Sequence, residues 1–307
     1  MMHNPLLSPL FIPTVLRVAG LLLAGALLVA VAERRRLRHP RAIAESTLFK
    51  RVLSWALMAP TFMLGVFVGG PISLLVVLFL IVQGIREFAT VTEMHPRYRL
   101  VLLGLGPVAM GTAVAAPTAF FFLPVAVFLL VGAIALARGE VAGSYREVTI
   151  TLFGFMYLPL MLSFFLLIGR RVTDGTGVLL LIGMSVALSD VCAYVAGNLF
   201  HGPRLLPKIS PNKTLAGVGG SVAGAYAAFG IMSFAIPASW PLPIALAMPM
   251  VLAIASIWGD LLESLIKRTF AVKDAGTQLP GFGGVLDRID SLIVALPLAY
   301  AALRVAG

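Results

Sequence analysis

The sequence contains few charged residues, one cysteine and four histidines. Only 12% of its 307 residues are charged, whereas 60% are hydrophobic, and the mean hydropathy is +1.00. The single Cys192 excludes a disulfide framework, and the histidines lack the spacing of a zinc site. Because so apolar a surface is tolerated only in lipid, the composition predicts an all-α, polytopic integral membrane protein.

The positive charge of the chain is concentrated between its apolar segments. The formal net charge is +10. No stretch interleaves aromatic and basic residues in the manner of proteins that stack single-stranded nucleic acid. We therefore expect anionic lipid head groups and phosphorylated substrates as partners, and no nucleic acid.

Hydropathy predicts about ten transmembrane helices. Strongly basic loops alternate with loops that nearly lack Lys and Arg, Arg170 and Arg171 excepted. The positive-inside rule then places both termini outside and the basic loops, including residues 201–215 and 264–290, in the cytoplasm. The predicted spans are residues 11–32, 53–69, 71–92, 100–116, 118–137, 149–168, 177–199, 216–236, 242–266 and 289–306.

The two halves of the chain differ in the roles that their residues predict. Residues 1–150 are predicted to be an N-terminal transmembrane scaffold, in which Arg86 and Glu87 read most simply as an interfacial helix end. Residues 151–307 are predicted to be the catalytic region.

Charge is concentrated in one stretch near the C-terminus, residues 260–291. Asp260, Glu263, Ser264 and Lys267 follow the i, i+3, i+4, i+7 pattern that places side chains on one face of a helix. Ionisable groups at a membrane boundary are costly and by default suggest function.

A second acidic cluster follows a glycine-rich loop in the same stretch. Asp287, Asp290 and Ser291 open the next predicted helix, whose positive N-terminal end favours ionised carboxylates. Two carboxylate clusters with interleaved Lys and Arg are able to hold a hard divalent cation together with a polyphosphate. The alternative is a cytoplasmic loop whose charges only mark the positive-inside side.

Two earlier segments carry further candidates. Asp190 lies within an apolar span, where it is either functional or satisfied by hydrogen bonds between helices. Asn212, Lys213 and Thr214 precede a glycine-rich helix start, which offers backbone N–H groups to phosphate. The alternative for this second segment is an ordinary loop.

The run S-L-I-K-R-T-F-A-V-K-D-A-G-T-Q-L-P-G-F-G-G-V-L-D-R-I-D, residues 264–290, resembles the signature of the CTP-dependent phosphatidate cytidylyltransferases, the CDP-diacylglycerol synthases. The segment S-P-N-K-T-L-A-G, residues 210–217, is similar to the family's S-P-x-K-T-x-E-G. The chain departs from the family at Phe282, where the family has His, and at Ala216, where it has Glu.

The resemblance implies a cytidylyltransferase-type membrane fold, Mg²⁺, and a reaction of CTP with phosphatidate for phospholipid biosynthesis. It also implies a possible homodimer in a bacterial inner membrane, with the active site facing the cytoplasm. The metal ligands it implies are Asp260 and Asp287, with Asp290 and Asp190 as further ligands or as groups that orient them. We assign catalytic roles to Asp260, Asp287, Lys267 and Arg288, and substrate or nucleotide binding to Asn212, Lys213, Thr214, Arg268, Lys273, Gly281, Gly283 and Gly284.

Three other functions are compatible with these residues. A related enzyme could transfer CMP to another lipid acceptor, such as a polyprenol or an unusual phospholipid. A catalytically weakened lipid- or nucleotide-binding membrane protein would account for Phe282. A transporter would use the intramembrane Asp190, but paired half-repeats and broken helices are not evident in the sequence.

Overall fold

The computed structural model describes residues 5–32, 47–139, 141–272, 276 and 283–306. Lys273, Gly281 and Phe282 lie outside these residues. Every predicted span coincides with a helix, which confirms the all-α, polytopic architecture. The helices are α1 (Phe11–Ala32), α2 (Thr47–Val68), α3 (Gly70–Val91), α4 (Pro96–Ala115), α5 (Pro117–Arg138), α6 (Ser144–Phe155), α7 (Met161–Arg171), α8 (Gly175–Phe200), α9 (Leu215–Ile231), α10 (Leu242–Thr269) and α11 (Leu286–Ala306).

Within the described part of the chain, 7 helices are long and apolar enough to cross a membrane. One of them runs from Ser144 to Arg171, because a π-helical turn, Met156–Leu160, joins α6 to α7. Two shorter apolar helices, Leu53–Val68 and Leu215–Ile231, match two other predicted spans. The protein is therefore an integral membrane protein, and the count of ten spans stays a prediction.

Glycine and proline separate neighbouring helices at two junctions. Gly69 and Gly70 have φ angles of 65° and 50°, a left-handed conformation that glycine adopts without a steric penalty. Pro71 and Pro117 then occupy the first turns of α3 and α5, where a missing N–H costs nothing. These junctions need almost no loop.

Residues 201–215, predicted to be a loop, contain a small antiparallel hairpin. Strand β1 (Arg204–Leu206) pairs with β2 (Ser210–Thr214), with Arg204 opposite Thr214 and Leu206 opposite Ser210. The pairing satisfies backbone groups that a loop would leave to water. The hairpin leads directly into α9.

Helices α8 and α9 pack backbone to backbone through glycines on one face of α9. A Cβ atom on Gly220 would overlap the Cys192 carbonyl, and one on Gly224 would lie 2.7 Å from the carbonyl carbon of Leu188. Small residues allow this approach in membranes, where van der Waals packing and interhelical hydrogen bonds hold helices together. The hairpin at the start of α9 is thereby fixed next to the end of α8.

Helices α10 and α11 pack equally closely at Gly259. A Cβ atom there would lie 2.7 Å from the Cα of Ser291. The Ser291 hydroxyl donates a 3.1 Å hydrogen bond to the Ser256 carbonyl. This contact brings Asp260, which follows Gly259, beside the first turns of α11.

Helix α3 reaches the same region from the first half of the chain. It packs against the π-helical turn at Gly84, where a Cβ atom would lie 2.9 Å from a methyl carbon of Leu158. Three residues later, Glu87 points at the start of α11. The N-terminal half therefore contributes a residue to the region that contains the predicted site.

Candidate active site

Lys267 joins the two acidic clusters predicted from the sequence. Its ammonium lies 2.5 Å from Oε2 of Glu263, one turn earlier on α10, and 2.7 Å from Oδ1 of Asp287 on α11. Both carboxylates are less than one-fifth exposed. Because burying a single charge is costly, a shared cation stabilises both carboxylates in this place.

Asp260 forms an ion pair with Lys213, the fourth residue of β2. The hairpin and α10 are therefore in contact. Asp290, which is 5% exposed, lies within electrostatic range of Asp260 and Glu263. The carboxylates of α10 and α11 thus form one cluster.

Asp190 on α8 belongs to the same cluster. It accepts a 2.8 Å hydrogen bond from the Ser256 hydroxyl on α10. The hydrogen bond between helices predicted from the sequence as the alternative role of Asp190 is therefore present. It also lies within electrostatic range of Asp260, Lys213 and Arg288. The bond to Ser256 holds Asp190 in the cluster and leaves its second oxygen available for other ligands.

Asp287 is held at both of its oxygens. The Gly284 N–H donates a 2.7 Å hydrogen bond to Oδ2, while Lys267 contacts Oδ1. Gly283 has a φ of 75°, and a Cβ atom there would lie 2.9 Å from Oδ2. Because Gly283 and Gly284 have no side chains, their backbone approaches the Asp287 carboxylate closely.

The remaining predicted nucleotide residues lie on and beside the hairpin. Thr214 caps α9 by accepting a 3.1 Å hydrogen bond from the Gly217 N–H, and Asn212 is exposed. The Arg268 Nε donates to the Ile209 carbonyl at 3.4 Å, which ties α10 to the turn of the hairpin. Their contacts with a nucleotide stay predictions.

Sequence reasoning missed two buried residues. Glu87 was interpreted as an interfacial helix end, but it is 2% exposed and accepts hydrogen bonds from the backbone of residues 285 and 286. The Tyr157 hydroxyl has no hydrogen-bond partner among the described residues and lies within electrostatic range of Asp290 and Glu263. A π-helical turn surrounds Tyr157, and such turns are frequent at functional sites.

The donor set suits a hard divalent cation. Among the described residues, no group of three or more His, Cys, Asp or Glu side chains is arranged to hold a metal ion. Mg²⁺ usually requires only one or two carboxylates, with water and substrate phosphates completing its octahedron. Asp260 and Asp287 are therefore of the ligand type that Mg²⁺ accepts, and their binding of Mg²⁺ stays a prediction.

The chain is similar in sequence to known proteins over much of its length. The sequence pattern of the cytidylyltransferase family matches residues 49–306. A phosphatidate cytidylyltransferase from Brucella suis is 44% identical over 114 residues, 36% of this chain and 41% of that protein. One from Mycobacterium leprae is 35% identical over 55% of this chain and 54% of its own, and one from Thermotoga maritima is 30% identical over 68% and 77%.

The protein belongs to the cytidylyltransferase family. The aligned part of the chain covers 41% of the Brucella protein and 54% of the Mycobacterium protein. It covers 77% of the Thermotoga protein.

Proposed function

We propose that the protein is a phosphatidate cytidylyltransferase, which converts CTP and phosphatidate into CDP-diacylglycerol and pyrophosphate. One observation carries the proposal. Carboxylates from α8, α10 and α11 lie next to Lys213, Lys267 and Arg288 in a single cluster. In such a reaction, carboxylates would hold the cation and basic residues would bind the phosphates of the two anionic substrates.

The chemistry requires positioning more than an activated side chain. A phosphate oxygen of phosphatidate is already anionic and attacks the α-phosphorus of CTP. A P–O bond to the lipid forms, the bond between that phosphorus and the oxygen bridging to the β-phosphate breaks, and its electron pair leaves with pyrophosphate. No nucleophilic Ser or Cys is required, and in-line placement of the two phosphates supplies much of the rate.

The basic residues counter the charge of the two substrates. Lys213 sits on the exposed hairpin, where its partner Asp260 has 41% of its side chain exposed, so incoming phosphate is able to exchange with that carboxylate. Lys267, on α10, contacts the first turn of α11, and Arg288 lies in that turn. Charge-assisted hydrogen bonds from these groups to phosphate oxygens are about twice as strong as neutral ones.

Asp260 and Asp287 would hold the Mg²⁺, which when bound neutralises phosphate charge and orients the triphosphate. Asp290 and Asp190 would orient these ligands or add a further oxygen. The site would face the cytoplasm of a bacterial inner membrane, where CTP is available, and phosphatidate would reach it from the bilayer. A homodimer is compatible with this arrangement.

Purified protein in mixed micelles, supplied with Mg²⁺ and CTP labelled at the α-phosphate, tests the proposal. Phosphatidate and a polyprenyl phosphate are offered in separate reactions. We expect label in CDP-diacylglycerol, one pyrophosphate released for each lipid product, and complete loss of product when EDTA is added. Product from the polyprenyl phosphate alone would assign another lipid acceptor, and no product from either lipid would overturn the proposal.

A further inference from the structure

Both carboxylate oxygens of Glu87 contact the backbone at the start of α11. Its Oε1 accepts a 2.8 Å hydrogen bond from the Val285 N–H, and its Oε2 accepts a 2.7 Å bond from the Leu286 N–H. The partners are 198 and 199 residues apart in the chain. Two bonds to adjacent amides fix both the position and the orientation of the carboxylate relative to α11.

Two glycines of the signature segment pack against the same carboxylate. A Cβ atom on Gly276 would lie 3.1 Å from Cδ of Glu87, and one on Gly284 would lie 2.7 Å from it. Both distances are shorter than ordinary van der Waals contacts. Glu87 therefore contacts the chain on both sides of residues 277–283, and any side chain at Gly284 would collide with it.

The amides of residues 284–286 are all bound by carboxylates. Gly284 donates to Asp287, and Val285 and Leu286 donate to Glu87. These are N–H groups that a helix start leaves without an internal partner, and negative groups are favoured there. Glu87 consequently fixes the backbone that carries the Gly284 N–H, which in turn orients Asp287.

A packing role alone does not explain a carboxylate at this position. Glu87 is 2% exposed, and a buried carboxylate is costly unless it is hydrogen-bonded or paired. An apolar residue would fill the same space without that cost, but it would leave the Val285 and Leu286 N–H groups unsatisfied.

We propose that Glu87 is a positioning residue, which holds Gly284 and the first turn of α11 so that Asp287 is aimed at the substrates. The role in catalysis rests on the proposed cytidylyl transfer. The contact of Glu87 with the backbone can be tested independently of that reaction.

The variant Glu87→Gln retains the shape of the side chain but replaces one acceptor oxygen with an NH₂ group, which cannot accept from an N–H. Glu93→Gln is the matched control, because Glu93 is exposed beyond the end of the same helix. Both are compared with the native chain by amide hydrogen exchange and mass spectrometry. The peptide covering residues 283–291 is followed, with a peptide from α9 as the internal reference.

We expect exchange at Val285 and Leu286 to accelerate by about tenfold or more in Glu87→Gln, because the variant loses one of the two hydrogen bonds and the charge that strengthens the other. The α9 peptide and Glu93→Gln should match the native chain. In the activity assay, kcat should fall on the order of ten- to a hundredfold, since small misplacements of reacting groups are costly. The KM for CTP should change little, whereas the melting temperature should fall, because the variant loses a buried hydrogen bond to a charged group.

If Glu87→Gln does not yield folded protein, Glu87→Asp replaces it, because the shorter carboxylate retains the charge and reaches only one of the two amides. Equal exchange in the variant and the native chain would overturn the positioning role, as would faster exchange with an unchanged kcat. Accelerated exchange in a protein whose native form makes no CDP-lipid would contradict the proposed function and leave the backbone contact established.

Discussion

Lys267 and Asp287 lie 2.7 Å apart although 20 residues separate them in the chain. The contact connects the last turns of α10 with the first turn of α11. Glu263 contacts the same ammonium at 2.5 Å. One lysine therefore compensates two largely buried carboxylates that lie in two helices.

Lys267→Met should destabilise the protein by about 3 kcal/mol, because removing one partner of a buried ion pair leaves uncompensated charge. Thermal unfolding in detergent micelles measures this loss. The double variant Lys267→Met/Glu263→Gln should recover part of the stability, since it removes one of the two stranded carboxylates. An unchanged melting temperature in Lys267→Met would show that the contact does not stabilise the fold.

Gly259→Ala should force α10 and α11 apart, because its Cβ atom would lie 2.7 Å from the Cα of Ser291. Overpacking of this kind costs about 1–3 kcal/mol, and we expect activity to fall with it as Asp260 moves away from α11. Gly219→Ala is the control, since a Cβ atom there meets nothing within 4 Å. Equal melting temperatures and activities in the two variants would contradict the close packing.

Lys213→Gln separates binding from stability. The side chains of Lys213 and Asp260 are 23% and 41% exposed, so their ion pair contributes at most about 1 kcal/mol to folding. The melting temperature should stay within error, whereas the KM for CTP should rise about tenfold through loss of a charge-assisted phosphate contact. Lys208→Gln, on the exposed turn of the hairpin, should leave both values unchanged. A native KM in Lys213→Gln would exclude this residue from nucleotide binding.

Phe282→His introduces the histidine that the phosphatidate cytidylyltransferase signature has at this position. If that histidine contacts phosphate in the transition state, kcat should rise on the order of tenfold or more. Phe282→Leu serves as the control, because leucine neither donates a hydrogen bond nor carries charge. No gain from histidine would mean that this position does not touch the reacting groups.

Much of the site follows from local sequence. Helical spacing places Asp260, Glu263 and Lys267 on one face, and the structure directs that face toward α11. The observed start of α11 at Leu286, three residues before the predicted span, puts Asp287 in the first turn. Hydropathy located only the apolar part of the helix, whereas the spacing of Asp287, Asp290 and Ser291 predicted its polar start.

Contacts over long sequence separation were beyond local patterns. Glu87 looks like an ordinary helix end because its partners are backbone amides near residue 285, which carry no sequence signal. The hairpin was missed because Ser210, Pro211 and Asn212 are typical of turns. In the structure, pairing with β1 overrides that preference.

The most direct test of the central claim is the rate of CDP-diacylglycerol formation by Asp287→Asn beside the native chain and Asp174→Asn. Asp174 precedes α8, roughly 24 Å along that helix from Asp190, so it provides the same chemical change away from the site. We predict native activity in Asp174→Asn and a loss on the order of a hundredfold or more in Asp287→Asn, with both proteins folded. Comparable rates in all three proteins would show that the cluster around Asp287 does not carry out the transfer.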